Sequence, residues 1–168
     1  MISFPDVHAI AVVDANGAIC FTDTDGKQKS IIDAFSIDQG TIDFDRAVFR
    51  RFLTDNDALF VLGTETDKNM GKLLTGKQKI ISDGCFDIVQ AAFTYAMKHN
   101  LSQIVVLGGR AVYDAFSDHY ETVTIHRLNY NYCQSPTKIP LKMLEKTGDM
   151  YKTIKYQGIH SRLTVYWS

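Results

Sequence analysis

The sequence predicts an α/β fold with a mostly parallel central sheet, helices on both of its faces and an antiparallel hairpin at one edge. Three short apolar runs, residues 8–14, 58–63 and 104–107, show little alternation between polar and apolar residues. This pattern is typical of strands that are buried on both faces of a sheet. Segments with helical spacing of apolar residues separate these runs, and regular alternation of strand and helix favours parallel strands joined by helical crossovers.

The C-terminal part of the chain predicts the antiparallel edge. Residues 153–156 and 162–167 flank Gly158, and the second segment alternates apolar and polar side chains. Two such segments joined by a short glycine-containing turn are typical of a β-hairpin. A further strand is expected over residues 122–128.

Helical spacing appears at residues 43–53, 86–100 and 110–116. Asp43 and Asp45 are expected in the first turn of the first helix, where negative charge complements the helix dipole. The segment before it, residues 22–43, shows little pattern and predicts a long loop.

Composition restricts the class of protein. The chain has 168 residues, 45% hydrophobic and 22% charged, which predicts one ordinary globular domain over residues 1–168. A formal net charge of −1 gives no field that would attract a polyanion, so nucleic acid is not an expected partner. The three cysteines are widely separated, as in proteins of a reducing compartment. Neither a basic leader nor an apolar run of membrane-spanning length is found, so we expect a cytoplasmic protein without membrane contact, a monomer by default.

Two strand ends are candidate anion sites. Gly108 and Gly109 stand where the strand over residues 104–107 gives way to a helix, and Gly63-Thr64 repeats this arrangement after residues 58–62. Free amides at a helix start can bind a phosphate or pyrophosphate, and ligands of open α/β sheets bind at the carboxyl ends of strands. The alternative is that these glycines only form tight strand-to-helix turns.

Asp45 and Phe49 lie one helical turn apart on the same side of the first helix. A carboxylate that an aromatic neighbour partly desolvates can form two charge-assisted bonds with the amidine-like edge of a nitrogen heterocycle. Alternatively, Asp45 only complements the helix dipole, and Asp43 competes for the binding role.

Other catalytic motifs are absent from the sequence. The five histidines and three cysteines show no zinc-ligand spacing, and no metal site is predicted. The chain contains neither a Gly-x-Ser-x-Gly elbow nor a six-residue dinucleotide fingerprint nor a Walker loop. Lys72, Lys77 and Lys79 form a small basic patch that suits an anionic substrate tail, or a solvated loop.

The ordered set of motifs resembles dihydrofolate reductase. The resemblance extends from about residue 8 to the C-terminus, and its most specific part is the Gly-Gly-x-x-Val-Tyr stretch that ends at Tyr113. The segments that carry it are residues 9–19, 45–51, 61–66, 74–81 and 104–113, together with the terminal hairpin.

The resemblance implies a role for each matching residue. Asp45 is the acidic group that holds the pterin ring nitrogen and amino group, Lys77 grips the folate glutamate, and Thr124 is the nearest match to the threonine that braces the carboxylate. The implied substrate-binding residues are Ala11, Val12, Asp45, Phe49, Lys77, Leu107, Tyr113 and Thr124. The implied cofactor-binding residues are Val12, Ile19, Gly63, Thr64, Thr66, Leu107, Gly108, Gly109, Arg110, Ala111, Val112 and Tyr113.

The resemblance also implies the reaction. Hydride would pass from NADPH, or alternatively NADH, to the pterin carbon of dihydrofolate, antifolates would inhibit, and the loop over residues 20–42 would act as a lid. Glu65, where the family often has a basic residue, would repel the 2′-phosphate of NADPH. Two other functions stay open: a riboflavin-pathway pyrimidine reductase of the same fold, and a non-catalytic binding or structural protein built on it.

Overall fold

A seven-stranded sheet forms the centre of the computed structural model, which describes residues 3–22, 25–26, 28–30, 39–54, 56–129, 136–140, 151–157 and 161–167. Its strand order is β5-β4-β6-β1-β7-β10-β9. The first five strands in this order pair in parallel, and β10 pairs antiparallel with both β7 and β9. The bounds are β1 Asp6–Val13, β4 Ala58–Gly63, β5 Lys79–Ser82, β6 Gln103–Gly108, β7 Tyr120–Leu128, β9 Tyr151–Gln157 and β10 Ser161–Trp167. The predicted mostly parallel sheet with an antiparallel edge is therefore confirmed.

Four α-helices lie in the described part of the chain. They are α1 Gln39–Leu53, α2 Thr64–Met70, α3 Ile88–Lys98 and α4 Arg110–Ala115, and a 3-10 turn, Gly71–Leu74, follows α2. The Asp87 side chain begins α3 by accepting hydrogen bonds from the amides of Val89 and Gln90, both at 3.1 Å. None of these helices is long and apolar enough to cross a membrane.

The helices cover both faces of the sheet, as the sequence predicts. Alternate residues of β1 point into two separate apolar cores, because successive side chains of a strand face opposite ways. One core joins Ala9, Ala11 and Val13 of β1 to residues of α3 and α4, among them Ala92, Ala96 and Val112. The other joins Ile10 to Val48 and Phe49 of α1.

A second, three-stranded sheet was not predicted. Its order is β3-β2-β8, with β2 Ala18–Thr22 in the centre, β3 Gln28–Ser30 and β8 Pro136–Lys138. An Asn-Gly pair such as Asn16-Gly17 favours a tight turn, so the sequence predicts a short extended segment over residues 18–21 but does not indicate its partner strands. Proline is compatible with the first position of such a short strand because it lacks only the amide donor.

The prediction of an irregular loop over residues 22–43 is wrong for the described part of that segment. It contains β3, and α1 begins at Gln39, four residues earlier than expected. Gln39 Nε2 donates a hydrogen bond of 2.8 Å to Asp43 Oδ1 and stabilises this added turn. The first turn of α1 consequently holds no acidic residue, and Asp45 lies in the second turn. Residues 23–24, 27 and 31–38 of the expected lid lie outside the described residues.

Candidate active site

A cavity of about 760 Å³ opens at the carboxyl ends of β4, β5 and β6. The middle of β1, part of α1 and the start of β2 form the opposite wall. A cavity of this size is typical of sites that enclose a small organic ligand. Its position is where ligands of open parallel sheets bind.

Most of the residues that the sequence singled out line this one cavity. From β1, β2 and α1 come Ala11, Val12, Ile19, Asp45 and Phe49. From the far side come Gly63, Thr64 and Thr66 at the end of β4, together with the whole run of residues 107–113. Five segments that are remote in the sequence thus meet around a single space.

Two of the predicted residues are not among the described residues that line the cavity. Thr124 is buried on β7 beside Ile10 of β1, and Lys77 follows the 3-10 turn. Of the lysines in the basic patch, only Lys72 lines the cavity. Lys79 instead donates to the Asp67 carboxylate at 2.7 Å.

Asp45 is the carboxylate that α1 presents to the cavity. Its side chain is 18% exposed, and its Oδ1 lies 2.8 Å from Nδ1 of His126, a side chain that is only 2% exposed. Phe49, one turn further along α1, is buried and lines the same wall, so the aromatic neighbour predicted for Asp45 is present. Asp43 is exposed and bonds to Gln39, which removes it as a competitor for the site.

Tyr113 connects α4 to β1 across the floor of the cavity. Its hydroxyl donates a hydrogen bond of 2.7 Å to the carbonyl of Ile10. Burial raises the pKa of Tyr113 well above its usual range, and the neighbouring Asp45 and Cys20 add to the rise. The hydroxyl therefore stays neutral at neutral pH and remains a donor.

Gly108 and Gly109, at the end of β6, differ in what a side chain would contact at each position. Gly108 has a φ of +109°, and an added Cβ would lie 2.9 Å from Cε2 of Tyr113. At Gly109 an added Cβ would meet nothing closer than Thr66 Oγ1 at 3.8 Å. The peptide bond that joins these two glycines is cis. Gly108 is thus required by the fold, whereas Gly109 leaves bare backbone on the cavity wall.

Several residues that line the cavity were not predicted from the sequence. Ser82 ends β5, which pairs with β4 in parallel, and Asp83 and Gly84 follow it, so the rule about strand ends could have found them. Cys20 and Thr137 reach the cavity from the second sheet, which was not predicted. Burial raises the pKa of the Cys20 thiol, against a smaller opposing effect of its hydrogen bond with Thr137.

The site combines a carboxylate, an aromatic wall and bare backbone around a cavity that is large enough for a heterocyclic ligand. No family model and no curated protein matches the chain. A carboxylate that is mostly shielded from water can hold a heterocycle by charge-assisted hydrogen bonds. The chain is thus an α/β protein, and this cavity is its candidate site.

Proposed function

We propose that this protein is an oxidoreductase that holds a reduced nicotinamide dinucleotide against a heterocyclic substrate. More particularly, we propose that it is a dihydrofolate reductase with the corresponding fold. The observation that carries the proposal is that Asp45 and Phe49 line the same cavity as residues 107–113. The sequence resemblance assigns the first pair to the pterin and the second group to the cofactor.

The role of Asp45 follows from its chemistry and position. A carboxylate with one oxygen engaged by His126 has the other oxygen available to accept hydrogen bonds from a ring N–H and an amino group. Dihydropterin offers these two donors side by side. Phe49, Ile10 and Val12 supply apolar surface for the ring and keep water from the carboxylate, which strengthens its hydrogen bonds.

The end of β6 suits a dinucleotide. Gly109 carries no Cβ, so that a ligand can approach the backbone there closely. When bound, the reduced nicotinamide supplies the hydride for the pterin carbon, while a proton reaches the adjacent nitrogen. The protein aligns the two rings and excludes solvent. Gly63, Thr64 and Thr66, at the end of β4 next to β6 in the sheet, would hold the other half of the dinucleotide.

A direct assay tests this function. Purified protein is mixed with dihydrofolate and either NADPH or NADH, and the loss of reduced-nicotinamide absorbance is followed with and without an antifolate. We expect oxidation that depends on dihydrofolate and that the antifolate abolishes. Oxidation that requires a ribosylaminopyrimidine instead would support the riboflavin-pathway reductase, and no oxidation with either substrate would support a non-catalytic binding protein.

Replacing Glu65 with Arg should lower the KM for NADPH more than that for NADH. Glu65 lines the cavity at the start of α2, and its side chain is 52% exposed in an ion pair with Lys68. Removing its charge and adding a positive one favours a ribose 2′-phosphate, and because the site is exposed we expect a change of only about threefold to tenfold. The ratio of the two KM values measures the effect, with Glu65→Gln as an intermediate control. Equal changes for both cofactors would contradict the placement of the adenosine end.

Replacing Lys72 with Ala should raise the KM for dihydrofolate and leave kcat unchanged. Lys72 lines the cavity, and a lysine can attract the carboxylates of a folate tail as a point charge. An exposed pair of this kind is worth up to about fivefold in KM. Lys77→Ala is the matched control and should show no such rise. A larger rise in KM for Lys77→Ala would instead support Lys77 as the residue that binds the folate glutamate, as the sequence resemblance implies.

A further inference from the structure

His126, the buried histidine beside the Asp45 carboxylate, was assigned no function from the sequence. We propose that His126 is a positioning residue for Asp45. Its ring, with a proton on Nδ1, donates to Asp45 Oδ1 and thereby leaves Oδ2 for a ligand. This role rests on the proposed function, because it matters only if Asp45 holds the substrate.

The hydrogen bond fixes which nitrogen carries the proton. An ionised carboxylate can only accept, so the 2.8 Å contact between Nδ1 and Asp45 Oδ1 requires an N–H on Nδ1. The other nitrogen, Nε2, is buried and has no hydrogen-bond partner among the described residues. A second proton there would leave a buried donor unsatisfied, which is unfavourable. The contact with Asp45 therefore assigns a proton to Nδ1, and the lack of a partner at Nε2 gives no reason to place a second proton there.

The surroundings hold the ring in one orientation. His126 lies in the middle of β7, with Val12 of β1 and Leu163 of β10 as its register neighbours. The Phe44 ring packs against it edge to face, at 5.4 Å between centroids and an interplanar angle of 71°. A ring held by two neighbouring strands and an aromatic contact has little rotamer freedom. It can therefore hold the Asp45 carboxylate in a fixed orientation.

His126 lies on the sheet, whereas Asp45 lies on α1. The hydrogen bond between them therefore also determines the position of the Asp45 carboxylate relative to residues 107–113. Small displacements of a group that aligns a substrate reduce rates strongly, by up to about a hundredfold for 1 Å. Thr124, two residues earlier on the same face of β7, lies opposite Ile10 rather than Val12. The place that the resemblance assigned to Thr124 is thus taken by His126.

The tautomer is measured on the whole protein labelled with 15N at histidine. In long-range proton–nitrogen spectra at neutral pH we expect the His126 ring to show a protonated Nδ1 and an unprotonated Nε2. The assignment is made by the loss of one set of signals in His126→Asn. A ring protonated on Nε2 alone, or on both nitrogens, would overturn the proposal.

Variants then separate positioning from simple packing. His126→Asn keeps an N–H donor near the place of Nδ1, whereas His126→Leu keeps apolar volume and removes the donor. We expect His126→Leu to lower kcat/KM for dihydrofolate by about tenfold to a hundredfold, and His126→Asn to stay within about threefold of the wild type. Thermal unfolding establishes that each variant is folded. If His126→Leu does not fold, His126→Gln, whose amide is displaced by one bond, replaces it in the comparison with Asn.

His8 supplies a matched control. It is a partly buried histidine on β1 whose Nδ1 forms a hydrogen bond of 2.7 Å with Thr122 Oγ1. It is not one of the described residues that line the cavity. His8→Leu should leave kcat/KM unchanged. Full activity of folded His126→Leu, or equal losses in its Leu and Asn variants, would refute positioning by the Nδ1 donor.

The two proposals fail separately. A wild-type protein that does not reduce dihydrofolate refutes the reductase, while the nitrogen spectra still decide whether His126 donates to Asp45. A wrong tautomer, or unchanged kinetics in His126→Leu, refutes the positioning role in a protein that is still a reductase.

Discussion

We expect the replacement of Asp45 with Asn to reduce kcat for dihydrofolate at neutral pH by about a hundredfold to a thousandfold, the size of effect for losing one charged group that acts on the reacting substrate. The amide is nearly the same size, and its oxygen can still accept from His126 at the position of Oδ1. The fold should therefore persist, and unfolding temperatures of the two proteins should agree within a few degrees. What the variant lacks is the negative charge that we propose pairs with the pterin.

Part of the loss should return as the pH is lowered, because a substrate that is already protonated needs less help from the protein. Asp43→Asn is the matched control. It removes the same charge two residues earlier on α1, from an exposed side chain that bonds to Gln39, and it should keep full activity. Steady-state rates across a pH series measure both effects. Wild-type activity in Asp45→Asn would remove this carboxylate from the mechanism.

Replacing Gly108 with Ala should lower the free energy of unfolding by about 2–4 kcal/mol, since a residue with a Cβ is strained at positive φ and the new methyl clashes with its surroundings. The Cβ would lie 2.9 Å from the Tyr113 ring, whose hydroxyl is tied to the Ile10 carbonyl. That ring cannot move away without breaking a buried hydrogen bond. For a chain of this size the loss corresponds to a fall in Tm of about 4–16 °C.

Gly109→Ala is the comparison for this effect. Its methyl would have 3.8 Å of clearance from Thr66 Oγ1, so the fold should lose much less stability than in Gly108→Ala. It would instead occupy cavity wall that we assign to the cofactor, and the dissociation constant for the dinucleotide should rise. Thermal unfolding and cofactor titration of both variants distinguish the two roles. Equal stability losses would show that Gly109, too, is required by the fold.

Much of the fold follows from patterns that are local in the sequence. The continuous apolar run at β4 predicts that strand from Ala58 to Gly63, as observed, because a strand buried on both faces leaves no polar positions. The hairpin of β9 and β10 could be predicted because apolar and polar side chains alternate along β10. Asp45 and Phe49 could be placed together because helical spacing alone puts them on one side of α1.

The remaining features depend on contacts between remote segments. The second sheet joins β2 to β8, more than 100 residues later, and neither strand has a pattern that names its partner. His126 could have been placed on the same face of β7 as Thr124 by alternation. Its contact with Asp45 also requires knowing how β7 aligns with β1, and how α1 packs on them. Register of this kind is set by the complete core and not by any single segment.

The position of β1 in the sheet has a consequence for synthesis on the ribosome. β1 pairs on one side with β6 and on the other with β7, both of which follow it by about 100 residues. At translation rates of about 5–20 residues per second, roughly 5–20 s pass between the synthesis of β1 and that of β6, the first of its two partner strands. During that time both edges of β1 lack their partner strands. We therefore expect nascent chains that stop before residue 103 to depend on chaperones and to aggregate when these are withdrawn.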